Sequence, residues 1–228
     1  EYSAMVCAGV MSFAEGIKLV RLRGDAMQEA VPAGQGGMAA ILGLENEAVE
    51  AACAEAAQGE VVSAVNYNAP GQVVIAGSKA AVERAIAACQ GAGAKRAMPL
   101  PVSVPSHCAL MKPAAERLSA AIQAIDLRAP RYSVIQNVDA RAHADVDTLR
   151  TRLVEQLYRP VRWTECVEAM SEQGAETFIE CGPSKVLTGL NKRIVRGSRG
   201  LAVNDPDSLS AALELARETV AASSDMQR

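Results

Sequence analysis

The spacing of apolar residues predicts a chain in which helices and strands alternate. Apolar positions recur at helical spacing over 1–31, with Gly9 as the break between two helices. Short runs rich in valine and isoleucine, bounded by glycine and proline, predict strands further on. The predicted strands before residue 101 cover 38–44, 61–67, 72–77 and 95–100, and the helices between them cover 45–57 and 79–92. The order β-α-β-β-α-β is that of a ferredoxin-like unit.

The same alternation continues to the end of the chain. Predicted strands cover 132–136, 177–180 and 201–204, and helices cover 111–125, 146–157, 162–173, a stretch from 185 and 207–222. Strands that alternate with helices predict an α/β fold with a mostly parallel sheet and helices on both faces. Three glycines within 32–37 predict a hinge. We therefore expect an α/β core formed by 1–32 and 101–228, with a small ferredoxin-like subdomain, 33–100, inserted into it.

Composition and charge exclude several classes of function. The formal net charge of −3 gives no electrostatic reason to expect binding to nucleic acid or to a membrane surface. The six cysteines are scattered without a Cys-x-x-Cys pair, and only two histidines are present, so no metal site is expected. Scattered cysteines indicate buried, reduced thiols in a cytoplasmic protein. The chain lacks an initiator methionine and a signal peptide, which suggests that it begins inside a longer protein.

The segment 101–111 holds the main candidate for chemistry, His107. Two prolines and two serines precede the histidine and an apolar helical pattern follows it, so His107 is expected on a loop just before a helix. The pKa of a histidine lies near operating pH, which suits the side chain to act as a general base. Taken alone, a histidine that packs against or caps the next helix is the more common case.

Other candidates are also ambiguous when each is taken alone. Arg23 has the fork that holds a carboxylate, but a solvated helix arginine is more common. Gln156 precedes a helix-ending proline, and a surface glutamine is the more common case there. Residues 181–184 form a strand-to-helix turn that could bind an anion or be an ordinary tight turn. Lys95 and Arg96 could face an acidic ligand or lie at a solvated strand end.

Ten separated stretches together resemble one family. The match follows the order of the family along nearly the whole chain, which makes it far more specific than any single stretch. The chain resembles the malonyl-CoA:acyl carrier protein transacylases of bacterial fatty acid synthesis. The matching residues are 1–9, 22–24, 27–32, 68–77, 93–96, 99–107, 136–138, 156–158, 160–163 without Arg162, and 182–187 without Ser184.

The resemblance implies an S-malonyltransferase that works by a ping-pong reaction through a serine ester. It implies an α/β-hydrolase-like core with no cofactor, malonyl-CoA and acyl carrier protein as partners, and a monomer. His107 would be the general base and acid, oriented by the backbone carbonyl of Gln156. Arg23 would pair with the free carboxylate of malonyl, so that acetyl, which leaves the buried arginine unpaired, is disfavoured.

The resemblance also assigns two groups of binding residues. The first would line the acyl pocket and consists of Met27, Val102 and Val186. The second would lie toward coenzyme A or the carrier protein and consists of Asn68, Gln72, Lys95 and Arg96. His143, in a polar connection, is interpreted as a surface residue that belongs to neither group.

One feature of the family is missing from these residues. In the family, a Gly-His-Ser-Leu-Gly nucleophile elbow lies directly before the position of Glu1, and a Gly-Gln-Gly-Ser turn lies earlier. Ser3 and Ser106 are poor substitutes for the nucleophile, since Ser106 adjoins His107 and Ser3 is placed on the following helix. We therefore expect a transacylase parent and an inactive isolated chain.

Three alternatives stay open at this point. The chain could be a non-catalytic fragment or pseudoenzyme that docks coenzyme A or acyl carrier protein. It could be a hydrolase with related machinery, although a hydrolase has no need for Arg23 to hold a malonyl carboxylate. It could also be the acyltransferase domain of a polyketide synthase, although no linker or flanking domain is visible in the sequence.

Overall fold

Helices and strands alternate close to the predicted positions in a computed structural model, which describes residues 1–102 and 104–225. Ser103, within the predicted His107 loop, lies outside the described residues. The strands are β1 Gly36–Leu42, β2 Val62–Ala69, β3 Gln72–Ser78, β4 Arg96–Pro99, β5 Ile135–Gln136, β6 Arg141–Ala142, β7 Thr177–Cys181 and β8 Arg199–Val203. The helices are α1 Tyr2–Cys7, α2 Phe13–Ala30, α3 Asn46–Ala57, α4 Lys79–Gly91, α5 Lys112–Gln123, α6 Val146–Glu155, α7 Trp163–Glu172, α8 Val186–Ile194 and α9 Pro206–Asp225, with a short 3₁₀ turn at Ala109–Met111.

The chain forms two compact units, Glu1–Ala169 and the residues from Met170 onward. The first unit contains a four-stranded antiparallel sheet in the order β2-β3-β1-β4. Residues of β3 alternate between the two faces of this sheet, as the pleat of a strand requires. On one face, Val73 and Ile75 pack against α3 and α4 in an apolar cluster. On the other face, Val74 and Ala76 pack with Cys108, so the sheet supports the loop that carries His107.

A second core in the first unit is built from α1, α2, α5 and α6. Its fully buried members include Met5, Leu118, Leu149 and Leu153, spaced so that each helix turns one apolar stripe inward. The close approach of α1 and α2 depends on Gly16, because a Cβ there would lie 2.8 Å from a methyl carbon of Val6. This core fixes α2, the helix that carries Arg23.

Helix α2 begins and ends where its sequence directs. Ser12 caps its start: the Ser12 Oγ accepts a hydrogen bond from Glu15 N at 3.2 Å, and the Glu15 carboxylate accepts one from Ser12 N at 2.8 Å. The helix ends before Pro32, as expected because a residue preceding proline disfavours the helical backbone conformation. The buried face includes Leu19 and Met27, which contact the core with α5.

The second unit contains a parallel pair of strands. β7 pairs with β8 from Thr177–Arg199 to Cys181–Val203, with α8 as the crossover and α9 following β8. Among the described residues, parallel pairing is limited to this ladder and the bridge between Asn66 and Val161. Most of the described strand pairs are antiparallel, so the fold is α/β with mixed strand pairing and not the mostly parallel sheet that was predicted.

Two predictions about local structure need correction. The strand predicted for 132–136 is reduced to β5, which pairs antiparallel with the unpredicted β6. The preceding residues bond elsewhere, since Arg128 N donates to Val10 O and Arg131 N to Ala8 O. The cysteines are free thiols, but Cys7 and Cys181 are exposed rather than buried. No helix in the described ranges has the length and apolar content that a membrane crossing requires.

Candidate active site

His107 lies on the predicted loop just before a helical segment. Its backbone adopts a left-handed conformation with φ of 64°. Its N–H donates to Leu157 O at 3.0 Å, and the thiol of the neighbouring Cys108 donates to Pro105 O at 3.1 Å. These bonds on both sides of the ring hold the loop backbone in one conformation.

The imidazole ring of His107 is held by a backbone carbonyl. Its Nδ1 lies 2.6 Å from Gln156 O, at the end of α6, where Gln156 is only 5% exposed. Because a carbonyl oxygen only accepts, Nδ1 must carry the hydrogen, which leaves the lone pair on Nε2. A ring held in this tautomer can take a proton through Nε2.

Burial also sets the charge of this ring. It lowers the pKa of His107 from 6.5 to about 4, against the opposing effect of the Gln156 carbonyl and with a smaller lowering contribution from the positive charge of Arg23. The neutral form therefore dominates at neutral pH. The influence of Arg23 on this pKa also means that the two side chains share one electrostatic environment.

Arg23 is a partly buried cation without an ion pair in the part of the chain that the structure describes. Its Nε is buried and lacks a hydrogen-bond partner there, whereas Arg21, two residues earlier, pairs with Asp25 at 3.0 Å. Burial lowers the pKa of Arg23, and the charges of Tyr2 and Glu1 oppose that shift. A solvated helix arginine does not fit these observations. An unpaired guanidinium at a partly buried position is suited to receive a carboxylate.

Three polar residues around Arg23 were given no role by the sequence analysis. The Glu1 carboxylate accepts a hydrogen bond from Gln136 Nε2 at 3.0 Å, and Gln136 is fully buried. Burial raises the pKa of Glu1, and it raises the pKa of Tyr2 to about 12. The Tyr2 hydroxyl is buried without a partner among the described residues. The sequence offered one sign that such a polar group lies near Arg23, which is the position of Gln136 at the end of a short apolar run.

The residues predicted for the acyl pocket occupy different environments. Met27 follows Arg23 by one helical turn and is buried in the core beside α5. Val102 lies on the segment that leads to His107 and is 47% exposed. Val186 is the first residue of α8 in the second unit and is 63% exposed. Their place around an acyl group stays a prediction.

The four residues predicted to face coenzyme A or the carrier meet at one end of the antiparallel sheet. Gln72 and Arg96 flank the same central residue, Leu42, from β3 and β4. Lys95 N donates to Leu42 O at 2.8 Å, and Asn68 lies beside the turn that leads into Gln72. Lys95 and Arg96 are exposed and the other two are partly buried. The structure thus brings together residues that are up to 28 positions apart in sequence.

Two other sequence interpretations are resolved by the structure. His143 is not a simple surface residue: its side chain is 20% exposed and its Nε2 lies 2.9 Å from Asp139 Oδ2. The turn at 181–184 leads into a helix start whose backbone N–H is already bonded within the chain. The Glu180 carboxylate accepts from the backbone N–H of Thr188, in the first turn of α8, at 2.7 Å. A side chain of the chain itself therefore occupies the helix start that could have bound an anion.

Comparisons with known proteins agree with the resemblance. The acyl transferase domain family matches residues 1–221. The malonyl CoA-acyl carrier protein transacylase of Escherichia coli K12 is 59% identical over 215 residues, which cover 94% of this chain and 70% of the relative. The enzyme of the same name from Bacillus subtilis is 44% identical over 219 residues, covering 96% of this chain and 69% of the relative.

Solved structures give the same result. A crystal structure of an acyl carrier protein S-malonyltransferase from Vibrio cholerae superposes with a TM-score of 0.91 at 64% identity, covering 93% of this chain and 69% of that one. A malonyl-transacylase in complex with a type II PKS acyl-carrier protein superposes with a TM-score of 0.92 at 58% identity, with coverages of 93% and 69%. The chain therefore belongs to the acyl transferase domain family and, within it, to the malonyl CoA-acyl carrier protein transacylases.

Proposed function

We propose that the protein transfers malonyl from coenzyme A to the phosphopantetheine thiol of an acyl carrier protein. The observation that carries this proposal is the arrangement at His107. The ring is neutral and held at Nδ1 by the Gln156 carbonyl at 2.6 Å, and it shares its environment with the unpaired cation of Arg23. A base with an open Nε2 beside a carboxylate receptor suits acyl transfer from a dicarboxylic thioester.

In the acylation half-reaction, the serine that the family places ahead of Glu1 attacks the thioester carbonyl of malonyl-CoA. His107 Nε2 accepts the serine proton as the C–O bond forms. The C–S bond then breaks, and the coenzyme A sulfur leaves with the proton that Nε2 held. The Gln156 carbonyl stabilises the transient imidazolium because it accepts from Nδ1–H, in the manner that a carboxylate serves in related triads.

In the second half-reaction the roles reverse. The carrier thiol gives its proton to His107 Nε2 and attacks the malonyl ester. The C–O bond breaks, and the serine oxygen regains a proton from Nε2. Each half-reaction thus begins and ends with a neutral ring, which is the state favoured by a pKa of about 4.

Acyl selection is assigned to Arg23. The free carboxylate of malonyl would pair with its guanidinium and satisfy the buried Nε that has no partner in the described residues. Acetyl offers no such group, so its binding would leave the buried cation unpaired. Met27, on the same face of α2, together with Val102 and Val186, is proposed to line the acyl pocket.

The exposed end of the antiparallel sheet is proposed as the coenzyme A and carrier side. Lys95 and Arg96 supply positive charge there, and coenzyme A and the prosthetic group of a carrier protein both contain phosphate. Asn68 and Gln72 add polar groups at the same end. No cofactor is proposed, since acid-base and nucleophilic steps account for the whole transfer.

We also infer that 33–100 forms a ferredoxin-like subdomain inserted into an α/β-hydrolase-like core. The β-α-β-β-α-β order, the sheet order β2-β3-β1-β4, and the apolar cluster that residues 39–89 form separately from the helical core support this inference. A cytoplasmic location is proposed with the function because the cysteines are free thiols, and a monomeric state is proposed because the resemblance implies one.

Brief exposure of the full-length gene product to malonyl-CoA, followed by peptide mass spectrometry, tests the function. A malonyl ester on a serine, discharged when an acyl carrier protein is added, is the expected result. A matched reaction with acetyl-CoA is expected to give far less ester. Binding of the carrier without ester formation would instead support the non-catalytic alternative.

A further inference from the structure

The orientation of His107 depends on a single short segment, residues 155–159. Gln156 O receives the ring Nδ1–H at 2.6 Å and Leu157 O receives the backbone N–H of His107 at 3.0 Å. The carbonyl of Arg159 also acts on the ring, since it raises the pKa of His107. Whatever fixes this segment therefore fixes the ring.

A group of charged side chains holds the same segment. The Glu155 carboxylate lies between two arginines, 2.5 Å from Arg152 Nη1 and 3.1 Å from Arg159 Nη2. Arg152 in turn makes an ion pair of 2.9 Å with Asp139, which also contacts His143. We call these five residues the Glu155 cluster.

The cluster is more than a solvated helix face. The Glu155 side chain is 13% exposed and that of Asp139 is 19% exposed, so both carboxylates are shielded from solvent. Shielded ion pairs are stronger than surface pairs and are less weakened by salt. Through Asp139 the cluster ties the last turn of α6 to the connection between β5 and β6, next to Gln136, which bonds Glu1.

We propose that Glu155 is a positioning residue for the transfer reaction, acting on His107 through the Gln156 carbonyl. The inference rests on the proposed function for its catalytic consequence. With Glu155 clamped by its two arginines, the carbonyl that follows it points at Nδ1 and holds the ring in the Nδ1–H tautomer. Without the clamp, the carbonyl moves and the ring samples the Nε2–H tautomer, which cannot accept a proton at Nε2.

The test compares Glu155→Gln with two other variants of the full-length protein. Glu60→Gln is the matched control, because Glu60 also pairs with an arginine, Arg84 at 2.8 Å, but joins the segment after α3 to α4 and not the segment that holds His107. Arg159→Gln is the milder variant, because the Arg159 side chain is 52% exposed and only its contact with Glu155 is lost. The ring tautomer is read from imidazole ¹⁵N shifts, with the His107 signals assigned by their loss in His107→Gln.

In Glu155→Gln we expect a larger share of the Nε2–H tautomer and a fall in kcat of about fivefold, at unchanged KM for malonyl-CoA. Arg159→Gln should also move the tautomer toward Nε2–H and should lower kcat by about twofold. Glu60→Gln should change neither the tautomer nor kcat. If Glu155→Gln fails to fold, Arg159→Gln decides. A tautomer and a kcat that match those of Glu60→Gln would overturn the inference. A tautomer that moves in a protein with no transferase activity would uphold the positioning and reject the proposed function instead.

Discussion

His107 and His143 meet partners of different kinds, and the difference shows how this fold prepares a base. His107 donates to a carbonyl, is partly buried, and has its pKa lowered to about 4. His143 contacts the Asp139 carboxylate, which is shared with Arg152. Burial keeps the His107 ring neutral, and its Nδ1–H bonds to the Gln156 carbonyl, which leaves the lone pair on Nε2, whereas the Nε2 of His143 is held by Asp139. His107, whose Nε2 keeps its lone pair, is therefore the ring placed to take a proton.

The largest expected effect is the loss of malonyl transfer when the imidazole ring of His107 is removed. His107→Gln in the full-length protein should lower kcat/KM for malonyl transfer by about 10³-fold, because general base catalysis is lost. Steady-state transfer to an acyl carrier protein measures it. His143→Gln is the comparison variant and should lose far less activity, because Asp139 keeps its ion pair with Arg152 when His143 is replaced. Equal losses of kcat/KM in both variants would show that the two histidines do not differ in their role.

The second prediction concerns stability against acid. The pKa of His107 is about 4 in the folded state and 6.5 ordinarily, so the unfolded state binds the proton more tightly. The contribution of the neutral His107 ring to the free energy of unfolding is fully present above pH 6.5 and is lost as the pH falls toward 4. The unfolding free energy of the wild type should fall by about 3 kcal/mol more than that of His107→Gln over this range. Chemical denaturation at several pH values measures the difference, and parallel curves would contradict it.

The third prediction concerns the cation that shares the His107 environment. Arg23→Ala should reduce the preference for malonyl-CoA over acetyl-CoA by about 10²-fold, mainly through malonyl, because the carboxylate loses its partner. Arg21→Ala removes an exposed arginine two residues away and serves as the control. Competition between the two thioesters gives the ratio. An unchanged preference would show that another group selects the acyl chain.

The smallest effect is expected at the second histidine. His143→Ala should lower the unfolding free energy by about 1 kcal/mol at neutral pH, because Asp139 loses one of its contacts but keeps Arg152. Urea denaturation measures this change, with wild-type activity as the check that the active site is intact. A destabilisation of several kcal/mol would mean that His143 holds the Glu155 cluster together by itself.

Local pattern was sufficient to predict the strands of the small sheet and the His107 loop. The alternation of Val73 to Ala76 and the glycine and proline turns gave strand positions within a few residues. The strand at 132–136 was overestimated because its neighbours bond to the carbonyls of Ala8 and Val10, more than 110 residues away. No local pattern contains such contacts.

The site shows the same division between local and distant information. His107 and Arg23 could be nominated from residue type and resemblance. The Glu155 cluster could not, because charges three and four residues apart on a helix usually indicate a solvated face. Only the shielding of Glu155 and its link to Asp139, from outside the helix, distinguish it. The exposure of Val186 could not be predicted either, because an apolar side chain usually indicates a buried position.

The left-handed backbone of His107 has a practical consequence for anyone who replaces it. At φ of 64°, a residue with a Cβ carries a conformational cost of about 1–2 kcal/mol, which glycine avoids. Alanine therefore removes the ring and retains the cost, whereas glycine removes both and leaves an empty ring-sized space beneath the Gln156 carbonyl. A His107→Gly enzyme is the natural host for chemical complementation, in which imidazole added to the buffer occupies that space and restores part of the lost turnover.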